Sequence, residues 1–214
     1  MAKTNNKKHL NLLAVFCLCS YGAFTQAKSG MESYSLLGQG KNYVWMPILH
    51  YQSQKGFYTE LRYNYEDVQT LSLFGGKSFE TGNELNCEIT PMLGFSAGKF
   101  SGASFATNAE AEWKNIYVSS QTQFSVSFKK DIPGFFFSWS ELGYSFTRFL
   151  FAGIAVQYTR QEGKSIVEPG VVAGLSFKNF SVPVYFFKPF RTGQYIIVGL
   201  NFEYKLKMKK KNKG

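Results

Sequence analysis

The sequence predicts an all-β protein, an antiparallel up-and-down transmembrane β-barrel of about twelve strands, with ten as the alternative count. Three observations carry this. Apolar and polar residues alternate with a period of two along most of the chain, the mark of strands with unlike faces. The 214 residues include 22 Phe, 13 Tyr and 20 Gly, which favours sheet over helix. No stretch sustains a 3.6-residue apolar period or reaches the ~18 apolar residues of a membrane-spanning helix.

Residues 1–27 read as an export signal. Lys3, Lys7 and Lys8 form a basic start, LNLLAVFCLC is a short apolar core, and Thr25-Gln26-Ala27 precedes a cut after Ala27. Removing this segment takes Cys17 and Cys19 with it. Cys87 then stands alone, too few for an internal disulfide or a metal cluster, and reads as a small hydrophobe. Charge partitions in the same way. Of 24 basic residues, three lie in 1–27 and six in the tail 205–214, leaving 15 against all 14 acidic residues in the body, 28–204. The body is nearly neutral, which argues against a nucleic-acid surface.

The strands follow in order. A weak one lies at ESYSLL (32–37), then come 43–53, 56–66, 68–78, 84–98, 100–113, 116–129, 134–146, 149–161, 165–177, 180–187 and 194–206. In GFYTELRYNYE, Phe57, Thr59, Leu61, Tyr63 and Tyr65 share one face, and Tyr58, Glu60, Arg62, Asn64 and Glu66 the other. Later strands repeat this. Leu93 and Phe95 oppose Glu88 and Thr90, Val126 and Phe128 oppose Gln121 and Gln123, and Leu200 and Phe202 oppose Asn201 and Glu203.

Connections test the faces. Lys114-Asn115 and Lys178-Asn179 read as two-residue turns that pair Trp113 with Ile116 and Phe177 with Phe180, all apolar. A three-residue loop Ser53-Gln54-Lys55 would set Tyr51 against Phe57, Leu49 against Thr59 and Trp45 against Tyr63. With twelve strands, the tightest turns (Lys114-Asn115, Thr147-Arg148, Lys178-Asn179) fall on the side of both chain ends. An even count with short periplasmic turns is the bacterial pattern.

Alternation alone leaves open which face is wet. Strands of about 10–14 residues suit tilted membrane spans better than soluble sheets. The polar face is mostly small or medium residues. Aromatics gather near strand ends on the apolar face (Tyr43, Trp45, Tyr63, Tyr65, Trp113, Phe128, Phe177, Tyr204), as in interfacial girdles. The apolar face is therefore expected to meet lipid.

With its signal, the stretch WMPILHYQSQKGFYTELRYNYED and the closing strand YIIVGLNFEY, the chain resembles exported outer-membrane β-barrel proteins of Gram-negative bacteria, most of all uncharacterised Bacteroidetes-type barrels. The resemblance implies residence in the outer membrane, contact with its lipids and insertion by the barrel-assembly machinery. Such barrels often end on an aromatic residue that the machinery reads. Ten residues follow Tyr204 here, so an internal Phe202 or Tyr204 would have to serve.

Candidate chemistry is sparse. Glu60, Arg62, Glu84, Glu88, Glu110, Glu112, Gln121, Gln123, Glu141, Glu168 and Glu203 are expected to line the lumen, where carboxylates suit a cation-preferring pore or, with Arg62 bridging them, a plug. Some outer-membrane barrels hydrolyse lipids with a Ser-His pair. The one histidine in the body, His50, shares the inward parity of Tyr58 and Glu60, away from the leaflet such an enzyme must reach. LFGGKS has Leu71 where a phosphate-binding loop needs Gly and no helix after it. The tail 205–214 reads as a solvated basic end, or as a tether to anionic headgroups or cell-wall polymer through the lysines of 205–213. The expectation is a passive small-solute pore or a structural membrane component, without catalysis or cofactor. The alternatives are a soluble secreted barrel binding an apolar ligand and an outer-membrane lipid hydrolase using His50.

Overall fold

The computed structural model describes residues 27–38, 41–82 and 84–205. All but the last residue of the expected export signal 1–27, and all but the first residue of the tail 205–214, lie outside them. The described chain is a closed barrel of antiparallel neighbours. Its segments are β1 (Lys28–Gly38), β2 (Lys41–Gln52), β3 (Phe57–Tyr63), β4 (Thr70–Lys77), β5 (Phe79–Thr81), β6 (Leu85–Gly98) and β7 (Gly102–Trp113). They continue as β8 (Ile116–Ser127), β9 (Phe135–Ser145), β10 (Leu150–Gln161), β11 (Lys164–Phe177), β12 (Phe180–Phe187) and β13 (Tyr195–Lys205).

Thirteen segments make twelve spans. β4 and β5 pair with β6 in one continuous register, Gly76 opposite Met92 and Phe79 opposite Ile89, so they are one span interrupted at Ser78. The first and last strands close the ring, from Lys28 opposite Lys205 to Gly38 opposite Tyr195. Every backbone donor and acceptor on a strand then has a neighbour on both sides, which is what allows sheet to cross lipid.

Alternation sets the faces as the sequence requires. Along β3, Phe57, Thr59, Leu61 and Tyr63 are exposed while Tyr58, Glu60 and Arg62 are buried. Leu73, Leu93, Phe95, Phe105, Phe124, Val126, Ile154 and Val171 all stand exposed on the outer wall. Such a belt of large apolar side chains would be untenable in water and fits hydrocarbon.

The two ends of the barrel differ. On the side of both chain ends the connections are 53–56, 82–84, 114–115, 146–149 and 178–179. On the other side, 64–69, 128–134 and 188–194 are longer. Three expectations need correction. The terminus-side turn between β9 and β10 is not the pair Thr147-Arg148 but 146–149, with Phe146 N–H donating to Leu150 C=O at 3.0 Å. A two-residue turn, Glu162-Gly163, lies on the opposite side, with φ of 49° and 76°. The β2–β3 register is two residues from the expected one, with Gln52 opposite Tyr58 and Leu49 opposite Leu61. There Ser53 pairs with Phe57, leaving Gln54-Lys55-Gly56 as the loop. Gly56, at φ 77°, takes the left-handed position that such loops demand.

The interior is also less polar than expected. Tyr34, Ile48, Trp139, Val172, Tyr185, Phe187, Tyr195 and Ile197 form one buried cluster on the wall from β9 through β13 to β2. Trp139 meets Tyr185 edge-on at 4.9 Å and Tyr34 at a tilt at 5.5 Å between ring centroids. Tyr58, Phe74, Met92 and Ala106 form a smaller cluster opposite. Twelve strands enclose more volume than short polar residues fill, and aromatic rings take up the remainder.

Candidate permeation path and its constriction

Arg62 sits where the two interior clusters approach each other. β3 points it inward between Glu60 and the connection 64–69. Its Nε donates to Glu60, its Nη1 donates to Gln123 Oε1 of β8 at 2.9 Å, and Glu66 Oε1 lies 3.5 Å away. The guanidinium plane is capped by Phe74 at 4.3 Å and Tyr65 at 4.7 Å from the ring centroids. Phe74 has room because Gly94 opposite it carries no Cβ, which would overlap the ring. Tyr58 donates to Glu60 Oε2 at 2.6 Å and Tyr65 donates to Gln121 Oε1 at 2.7 Å. Arg62 and Glu60 are only 2% and 4% exposed, so the network closes this level of the lumen.

Tyr65 is the link between the halves, meeting Phe137 edge-on at 6.1 Å. The sequence placed Tyr65 on the outer girdle, and the structure puts it inside. Asn64 adopts φ 59°, ending the alternation one residue after β3, so Tyr65 and Glu66 both turn inward. The other seven girdle aromatics are exposed.

Two cavities flank this layer. One of about 250 Å³, on the side of the long connections, is lined by Tyr65, Glu66, Gln123, Phe137, Gln157 and Ile197 among others. The second, about 150 Å³ on the side of the chain ends, is lined by Glu32, Asn108, Glu110, Gln121, Trp139, Glu141 and Asn201 with their neighbours. Trp139 borders both.

Smaller networks hold the two mouths. Near the chain ends, Lys28 Nζ bridges Glu80 Oε1 at 2.7 Å and Glu88 Oε2 at 2.9 Å. Gln52 donates to Glu80, and Ser78 donates to Glu88. Near the long connections, Lys188 Nζ pairs with Glu168 Oε1 at 2.7 Å, and the Tyr195 hydroxyl lies 3.1 Å from both Gln157 and Glu168. His50 faces Glu32 at 3.7 Å and stacks on Tyr58, inside the barrel.

Of the residues expected to line the lumen, Glu60, Arg62 and Gln123 share the constriction. Glu88, Glu110, Gln121, Glu141 and Glu168 lie on the interior face around it, and Glu112 and Glu203 carry the same parity near the terminus-side mouth. Glu84 stands apart. It falls in the connection 82–84 and is exposed, off the barrel wall. Lys28, Glu32, Tyr65 and Glu80 belong to the interior and were missed, whereas Glu66 keeps the inward parity it shares with Glu60 and Arg62 in the sequence. Asn64, a residue that tolerates positive φ, was the available sign that β3 stops there.

Among the described residues, no group of His, Cys, Asp and Glu could hold a metal ion. No helix among them is long and apolar enough to cross a membrane, so any crossing is by strands.

No protein-family model and no curated protein matches the chain. Among solved structures it is similar to the KdgM porin, with TM-score 0.59 and 12% identity over 82% of this chain and 99% of that one. The KdgM porin in complex with disordered oligogalacturonate aligns at TM-score 0.60 with 12% identity and the same coverage. The NanC porin aligns at TM-score 0.56 and 7% identity, over 82% of this chain and 100% of that one. At such identities the likeness concerns architecture, and it takes in nearly the whole of those porins: this chain has the twelve-span barrel fold seen in outer-membrane porins.

Proposed function

We propose that this protein is a passive channel of a Gram-negative outer membrane, of Bacteroidetes-type affinity, admitting small neutral or cationic solutes and catalysing no reaction. The observation that carries the reading is the charge of the interior. Against Lys28, Arg62 and Lys188 stand Glu32, Glu60, Glu66, Glu80, Glu88, Glu110, Glu141 and Glu168 on the inner face. Rings of carboxylate favour cations. A polyanion such as the oligogalacturonate in the KdgM complex would be repelled here. His50, turned inward against Glu32 and Tyr58, is out of reach of a membrane lipid, which speaks against hydrolysis.

The constriction at Arg62 makes the resting conductance small. Purified protein in a planar bilayer should give small, cation-selective steps. The triple variant Glu60→Ser/Arg62→Ser/Glu66→Ser removes the charges together with their bulk and should raise single-channel conductance several-fold. Silence in both proteins, with heat-modifiable gel mobility retained, would reject the channel in favour of a structural barrel. Extraction without detergent would reject the membrane reading itself.

A further inference from the structure

On the rim with the long connections, the outer wall carries a groove that the channel reading does not use. The β10–β11 hairpin projects to the Glu162-Gly163 turn, with Gln161 opposite Lys164. Beside it, β9 starts at Phe135 opposite Gln161, and the last β8 residue to pair with β9 is Ser125. The connection 128–134 arches over the step between them, leaving a cavity of about 740 Å³. That volume lies within the ~300–1,000 Å³ of ordinary ligand sites. Its floor is apolar and faces outward: Phe124, Val126, Phe136 and Tyr158, the last two meeting edge-on at 5.9 Å.

Arg160 lies at the outer end of this floor. It shares the outward parity of Val156 and Tyr158, is exposed, and belongs to none of the ion pairs among the described residues. Lys129, also on the groove, donates to the carbonyls of Gly98 and Lys99 at 2.6 and 3.0 Å and so fixes the rim. Lys130 and Lys164 on the flanks balance Asp131 and Glu162, and Arg160 with Lys129 leaves the rim net positive.

An arginine on the lipid-facing wall at headgroup depth, above an aromatic floor, matches an amphiphile that carries an anion over an acyl chain. A guanidinium is the cation best shaped for phosphate, which it engages with two parallel hydrogen bonds. The short turns place this rim on the external side. We propose that the groove binds lipid A, the phosphorylated glycolipid of the external leaflet, with one acyl chain along Phe124, Val126, Phe136 and Tyr158 and a phosphate at Arg160. The proposal rests on the outer-membrane reading but not on conduction.

Native mass spectrometry of the detergent-purified full chain tests it, with three probes: lipid A, enzymatically dephosphorylated lipid A and phosphatidylglycerol. Lipid A adducts should survive detergent removal on the wild type and fall about tenfold with Arg160→Gln, as loss of one charge-assisted phosphate contact predicts. Arg160→Lys should restore them in part. Phe136→Ala should weaken retention of all lipids together. Equal retention of dephosphorylated lipid A, equal retention of phosphatidylglycerol, or no change with Arg160→Gln would overturn the site. Arg160 is exposed, so its variants keep the heat-modifiable mobility that certifies a folded barrel. A wild-type chain that needs no detergent would instead overturn the membrane reading.

Discussion

Arg62 shows what a buried charge requires. A guanidinium taken out of water is costly unless carboxylates, hydrogen bonds and ring faces replace its hydration, and Glu60, Glu66, Gln123, Phe74 and Tyr65 supply all of these. The arrangement is therefore sensitive to losing one member. Arg62→Ala leaves Glu60 and Glu66 facing each other in a closed space and should destabilise the barrel by about 3–5 kcal/mol, the range for breaking a buried pair. Glu60→Gln/Arg62→Met/Glu66→Gln, which removes every formal charge at similar volume, should cost much less. Urea unfolding of the protein in lipid vesicles measures both. Equal losses in the two variants would mean that packing, not charge, holds this level. Gln123 extends the network to β8, and its amide donates to Ser104 of β7 and Ser125 of β8. The lumen is thus braced across its width, from β3 to β8.

At the scale of elements, the turns decide how well the strands can be read. Trp113 opposite Ile116 and Phe177 opposite Phe180 follow from sequence because a two-residue turn forces equal faces on its flanks. These turns put a lysine at positive φ, 54° at Lys114 and 51° at Lys178, where a side chain is strained. Lys178→Gly should relieve about 1–2 kcal/mol of that strain against about 0.5–1 kcal/mol of extra unfolded-state entropy, a net stabilisation seen as a higher temperature for the heat-modifiable gel shift. An unchanged or lower temperature would show that the turn is relaxed with lysine in place. The β2–β3 hairpin was harder to place, because parity is the same for registers two residues apart and only the left-handed demand on Gly56 separates them. Tyr65 was illegible for a related reason. A period-two pattern continues in letters through YNYE even though the backbone leaves the strand at Asn64. Which residues form the constriction was legible as a set of inward Glu, Arg and Gln. Their partners Phe74 and Gly94 were not, since the contact between adjacent strands depends on register.

The whole barrel distributes its charges unevenly along its axis, and this fixes a measurable property. The Arg62 network and the Lys188–Glu168 pair lie toward the long connections. Glu32, Glu110 and Glu141 surround the cavity toward the chain ends, with Glu112 and Glu203 nearer that mouth. Lys28, opposite Lys205 on the closing strand, is already engaged there by Glu80 and Glu88. A solute entering from the terminus side therefore meets a negative vestibule before it meets the constriction. Screening makes the consequence testable. The Debye length is about 10 Å at 0.1 M salt and about 3 Å at 1 M. Reversal potentials across a KCl gradient should thus show clear cation preference when the dilute side is near 0.1 M and much less when both sides approach 1 M. Glu110→Gln/Glu141→Gln should remove most of the preference at low salt while leaving conductance at high salt nearly unchanged, since neither residue belongs to the Arg62 layer. Anion preference in the wild type, or selectivity that ignores both salt and these two carboxylates, would refute the acidic vestibule as the origin of selectivity.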